Sequence, residues 1–128
     1  MRPTDPLISI GWEDASLTVM ARIQGNAGTN ITQASLSSIT CKVFDLDNAN
    51  VVVATPAVTI SSAVFDSLQT TDPRWTKDTT GYNFRFTVTA SSFPTGSRRY
   101  QIEFVFTPTS GDVFPLVVKH TTQELLGS

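Results

Sequence analysis

One histidine and one cysteine limit the chemistry open to this chain. A Ser-His-Asp triad needs an imidazole held beside its nucleophile. His120 closes the last strand-like run and has no nucleophile-elbow motif to serve. A zinc centre needs three or four nitrogen or sulfur ligands, and His120 with Cys41 cannot supply them. Cys41 alternates with Ile39 and Val43 and has no cation beside it in sequence, so it reads as a small buried apolar residue. No glycine-rich phosphate cradle is present. The expectation is a non-enzymatic protein without cofactor or metal.

The acidic residues come closer to a site. Asp45-Leu46-Asp47-Asn48-Ala49-Asn50 opens like a calcium loop, but Ala49 stands where an oxygen ligand belongs, Asn50 replaces the turn glycine, and Pro56 replaces the bidentate glutamate. Asx residues in a hairpin turn are the simpler reading. Asp66, Asp72 and Asp78 flank Trp75, and a tryptophan among carboxylates suits a sugar site. The plainer alternative has Trp75 packed over one end of the fold while the aspartates cap turns. Tyr82, Phe84 and Phe86 could stack on bases or sugars, although an aromatic strand face is more often core. Arg85 on the polar side of that strand, with Arg98 and Arg99, fits an interface, where arginine is enriched. Trp75, Arg85, Arg98 and Arg99 are therefore the candidate interface or ligand contacts.

Residues 81–89 show what must position these groups. Tyr82, Phe84, Phe86 and Val88 alternate with Asn83, Arg85, Thr87 and Thr89, and a strand sends successive side chains to opposite faces. Tyr100, Ile102, Phe104 and Phe106 repeat the pattern beyond a Phe93-Pro94-Thr95-Gly96 turn. Residues 16–23, 39–45, 51–54, 58–60 and 113–120 also read as strands, and residues 7–11 as a short edge segment. Residues 61–68 read as a helical turn capped by Ser62, with Val64, Phe65 and Leu68 dipping into the core. Residues 24–30, 46–50, 69–80 and 110–112 read as loops or turns.

The fold expected is all-β, an immunoglobulin-like β-sandwich of about seven strands with one short helical turn. The antibody-type Cys…Trp…Cys spacing is absent. The domain is set at residues 17–120, between an N-terminal arm over 1–16 and a tail over 121–128.

Charged residues are only 16% of the 128-residue chain, and the net charge is −2. No basic run exceeds Arg98-Arg99, which argues against phosphate-driven nucleic-acid binding. A weakly charged, hydroxyl-rich surface loses little on packing against protein. No leader-like apolar segment and no membrane-length apolar run is found, so neither secretion nor membrane insertion is expected.

Two groups of positions carry a family resemblance. The first is Ala21-Arg22-Ile23 with Gly25, Gly28, Ile31-Thr32-Gln33-Ala34 and Ile39. The second is Asp72, Trp75 and Asp78, then Gly81-Tyr82-Asn83-Phe84-Arg85, the run from Tyr100 to Phe106, Thr107-Pro108 and Gly111. Over residues 17–118 the chain resembles small β-sandwich proteins encoded among the structural genes of tailed bacteriophages and prophage-like elements. The resemblance implies a virion component without enzymatic activity, made in the bacterial host cytoplasm. It would be a capsid decoration (cement) or head-to-tail neck protein. Its partners would be capsid, portal, neck or tail subunits and further copies of itself. A carbohydrate- or receptor-binding module of the tail tip or baseplate, built on Trp75 and Tyr82, is the alternative.

Overall fold

The computed structural model describes residues 6–25 and 28–127. Their order is β1 (Leu7–Trp12), β2 (Leu17–Ala21), β3 (Leu36–Asp45), β4 (Val51–Ala54), α1 (Ile60–Ala63), β5 (Val64–Gln69), β6 (Tyr82–Val88), β7 (Arg99–Pro108) and β8 (Phe114–Gln123), with 3-10 turns at Gln33–Ser35 and Ala90–Ser92. One sheet has the order β1-β8-β7-β3-β4 and the other β2-β6-β5. β1 runs parallel to β8 and the remaining strand pairs are antiparallel.

This is the strand arrangement of an immunoglobulin-like sandwich, with a three-stranded sheet facing a longer one. A second feature supports the assignment. Tyr100 is the second residue of β7, and its hydroxyl accepts the Thr95 N–H at 3.1 Å and donates to the Thr95 carbonyl at 3.3 Å. That is the tyrosine corner of such folds. An inter-sheet disulfide is ruled out by the lone Cys41, which is buried on β3; burial pushes its thiol up to about 12.

The aromatic alternation fills the space between the sheets. Phe84 and Phe86 on β6 meet β7 edge-to-face: Phe84 lies 5.1 Å from Phe104 and 5.2 Å from Phe106, and Phe86 lies 5.7 Å from Phe104. Such geometry suits the ring quadrupole and adds about 0.5–1.5 kcal/mol per pair beyond area burial. Phe93 closes one end against Tyr100 and His120 at ring distances of 5.3 and 4.7 Å.

The expected elements shift in four places. Residues 58–60 do not form a strand: Ala57 makes an isolated bridge to Thr40, and Ile60 starts α1. The helical turn is only four residues long; Thr59 rather than Ser62 occupies its N-cap, and the chain turns extended at Val64. Val64 joins the core, whereas Phe65 and Leu68 are half-buried on β5. β-Branched Val64 and aromatic Phe65 favour strand over helix. Tyr82 leaves the common core for Phe65 and Trp75, because the register of β5 on β6 slips between Val64 and Gln69. The sheets also reach past the 17–120 bounds, since Leu7–Trp12 pairs with β8 and β8 runs on to Gln123. The proline-bearing arm, up to residue 5, lies outside the described residues, as do Asn26, Ala27 and Ser128.

Candidate functional site

Among the described residues, 22–25 with 28–35, 70–81 and 109–113 gather at one end of the sandwich. The segments 13–16, 46–50 and 89–98 gather at the other. Arg98 and Arg99 belong to the second end, where both face carboxylates. Arg98 Nη1 donates to Asp45 Oδ2 at 2.7 Å, and Arg99 reaches Asp47 through Nη2 at 2.8 Å and Nε at 3.2 Å. Asp45 Oδ1 also accepts the Asp47 N–H, and Asp47 Oδ2 the Arg99 N–H at 2.7 Å. Hydrogen bonds from Arg99 hold the Asp47 carboxyl below its usual range. The stretch that opens like a calcium loop is thus a hairpin turn, with Ala49 and Asn50 at positive φ and its first two carboxylates engaged by arginines.

Trp75 and Arg85 lie together at the opposite end. The 70–81 loop ends at Gly81, whose φ of +105° excludes most side chains; a Cβ there would sit 2.4 Å from the Gln69 carbonyl oxygen. Asp78 holds the loop base: it accepts the Gly81 N–H at 3.0 Å, the Thr80 N–H, the Trp75 indole N–H at 3.2 Å and Arg22 Nη1 at 2.9 Å. The Gly81 amide, then Arg22, lowers the Asp78 carboxyl to about 2. The Trp75 ring lies 5.5 Å from Tyr82, and Tyr82 lies 5.7 Å from Phe65.

Asp72 serves two arginines. Arg74 donates to it from its backbone N–H at 2.9 Å, from Nε at 3.1 Å and from Nη2 at 2.7 Å. Arg85 reaches it only with Nη1, at 3.3 Å, while its guanidinium carbon lies 5.2 Å from the Phe65 ring centroid. Hydrogen bonds from Arg74, then Arg85, hold the Asp72 carboxyl far below its usual range. Asp66 does not join this group; it accepts the Gln33 N–H at 2.8 Å. A groove of 570 Å³ runs between Phe65, Gln69, Tyr82, Arg85 and the loop, within the size range of small-ligand sites.

Two features escape the sequence reading. Asn83 alternates as an outward polar residue, yet it is 1% exposed. Its amide donates to the Ile23 and Ile31 carbonyls at 2.9 and 3.0 Å and accepts the Ile23 N–H at 2.7 Å, tying Ile23 and Ile31 to β6. Nothing local marks it, because its partners lie more than fifty positions away in sequence. The other feature is the outward face of β1, a strand that the sequence marks only as a short edge segment. Gly11 rests on the His120 ring, and Ser9 Oγ lies 3.0 Å from His120 Nδ1, while Ile8, Ile10 and Trp12 point outward with exposures of 74, 71 and 47%. The Ile8-Ser9-Ile10-Gly11-Trp12 alternation carries that signal, although the three outward residues are the apolar ones.

β1 is also a sheet edge, and among the described residues no strand pairs with the other side of its backbone. Of the other three edges, β4 is four residues long and stops before Pro56, β5 loses register on β6, and β2 is five residues long. Among the described residues no group of three or more His, Cys, Asp or Glu side chains is placed to hold a metal ion. Compared with protein-family models, with curated proteins and with solved structures, the chain matches none.

Proposed function

We propose that this chain is a non-enzymatic structural component of a tailed-phage virion, a capsid decoration or head-to-tail neck protein that works through protein–protein contacts. The observation that carries the reading is β1, an open sheet edge with an exposed apolar stripe of Ile8, Ile10 and Trp12. Unprotected edges of this kind template the addition of a further strand. The sequence resemblance supplies the setting, and the low surface charge removes much of the desolvation penalty for such packing.

Pairing with a second copy suits the edge. Antiparallel pairing centred on Ile10 sets Ile8 against Trp12 and Ile10 against itself on the outer face, and Ser9 against Gly11 on the inner one. Apolar residues then meet apolar residues, and aromatic–β-branched pairs are among the favourable cross-strand combinations. Light scattering coupled to size exclusion tests the proposal. The wild type is expected as a discrete oligomer, and Ile10→Lys as a folded monomer. A wild-type monomer at every concentration that also ignores capsid, neck and tail preparations would overturn it. The alternative, a carbohydrate- or receptor-binding module, has one observation in its favour, the groove beside Arg85.

A further inference from the structure

We propose that the groove between the 70–81 loop and the outer face of β5 and β6 binds a carboxylated sugar, with Arg85 as the carboxylate-recognising residue. The argument starts from stoichiometry. Around Asp72 stand two guanidinium groups and one carboxylate, and no other salt bridge to Arg74 or Arg85 occurs among the described residues. Arg74 satisfies Asp72 by itself, with a near-bidentate fork at 3.1 and 2.7 Å, and turns its remaining Nη1 to Thr18 Oγ1 at 3.0 Å. Arg85 is the surplus cation. Its single contact with Asp72 is the longest in the cluster, and its Nε and Nη2 meet no acceptor among the described residues.

Arg85 is also partly held in place. Its side chain is 38% exposed, and its guanidinium lies over Phe65. The ring face attracts the cation and helps to hold it, and Nε and Nη2 stay available for a planar, two-oxygen partner. The rest of the groove favours a sugar over a carboxylate on a peptide. Half-buried Phe65 supplies ring surface for the C–H face of a pyranose, buried Tyr82 packs behind it edge-to-face, and Gln69 and Thr71 supply an amide and a hydroxyl for ring hydroxyls. The groove, 570 Å³ and open to solvent, has room for one or two sugar rings. Since the whole chain is net negative, the attraction must be local to the groove.

This site does not depend on the β1 edge, so it stands or falls apart from the assembly proposal. The probes are N-acetylneuraminic acid and glucuronic acid, with glucose and N-acetylglucosamine as neutral counterparts and a hexaglutamate peptide as the alternative carboxylate source. Binding is read by titration calorimetry and by Trp75 fluorescence in a Trp12→Phe background. The acidic sugars are expected to saturate the site and to bind about tenfold or more tightly than the neutral ones, the difference of one charge-assisted fork. Arg85→Gln should erase that margin with the circular dichroism spectrum unchanged. Arg85→Lys should recover only part of it, because an ammonium keeps the charge and loses the fork. Arg99→Gln, the same charge change at the other end, should leave binding intact. Equal affinity for neutral and acidic sugars, unchanged binding by Arg85→Gln, or saturable binding of the peptide but not of the sugars would each overturn the assignment, as would no saturable binding at millimolar concentration.

Discussion

The two ends of the sandwich use the same residue types to opposite effect. At the 46–50 and 89–98 end, two aspartates face two arginines, and the charges balance. At the 70–81 end, Asp78 pairs with Arg22, but Asp72 faces both Arg74 and Arg85, so two aspartates meet three arginines and a half-exposed cation remains with unfilled donors. The 46–50 and 89–98 end also carries closures made with backbone groups: the tyrosine corner, and Glu13, whose carboxylate accepts the Gly96 and Leu125 N–H groups at 2.9 Å each. Arginine beside aspartate is therefore not informative by itself. What separates a structural clasp from a recognition group is whether acceptors and donors are matched in number.

The largest effect is expected where no charge is involved. Asn83→Ala removes the amide that serves Ile23 and Ile31, and it leaves one buried N–H and two buried carbonyls without that partner. The expected loss is about 2–4 kcal/mol in urea unfolding, because unsatisfied buried groups keep their full desolvation cost. The loop end would then be held by a neutral amide and only decorated by charge. A loss below that of the next variant would reverse this ranking.

Asp45→Ala should cost about 2–3 kcal/mol, since it strips the partner from Arg98 and the acceptor from the Asp47 N–H at a position 4% exposed. Asp72→Asn at the other end should shift the urea midpoint less than Asp45→Ala. It should also leave Arg85 with no competing carboxylate, so acidic-sugar binding should tighten. If Asp72→Asn destabilised the fold more than Asp45→Ala, the 70–81 cluster would be a clasp like its counterpart, and the contrast between the ends would fail.

Much of the fold is legible because strand alternation is a local signal. Phe84, Phe104 and Phe106 are core residues in sequence and in structure, and β3, β4, β6 and β7 lie where the pattern sets them. The misplaced elements are those in which local preference competes with a partner elsewhere. β5 is one: a Ser-Ser-Ala stretch reads as a helix start, but Val64 pairs with Phe84. The candidate contacts divide in the same way. Trp75, Asp72 and Asp78 share one loop, so their association is visible in sequence. That Arg85 surmounts Phe65 while Arg98 faces Asp45 depends on which sheet each strand joins, and no spacing rule encodes that.

The smallest effects are in the pH dependence, which separates β1 from both ends. His120 is buried against Phe93 and Gly11, and desolvation lowers its folded-state pKa below the unfolded value of 6.5. The unfolded chain therefore binds this proton more readily, so stability is complete above about pH 6.5 and falls as pH drops below it. The carboxylates act later. Asp78 is held at about 2 against an ordinary 3.8, and Asp47 and Asp72 are also lowered, so their contributions are present above about pH 4 and fade as pH falls toward 2. Two separate declines are expected when unfolding free energy is measured stepwise from about pH 8 to about pH 3. His120→Gln should flatten the first and leave the second. A first decline that survives this variant would mean that another group titrates there, and that the contact of β1 with β8 is insensitive to the charge on the ring beneath Gly11.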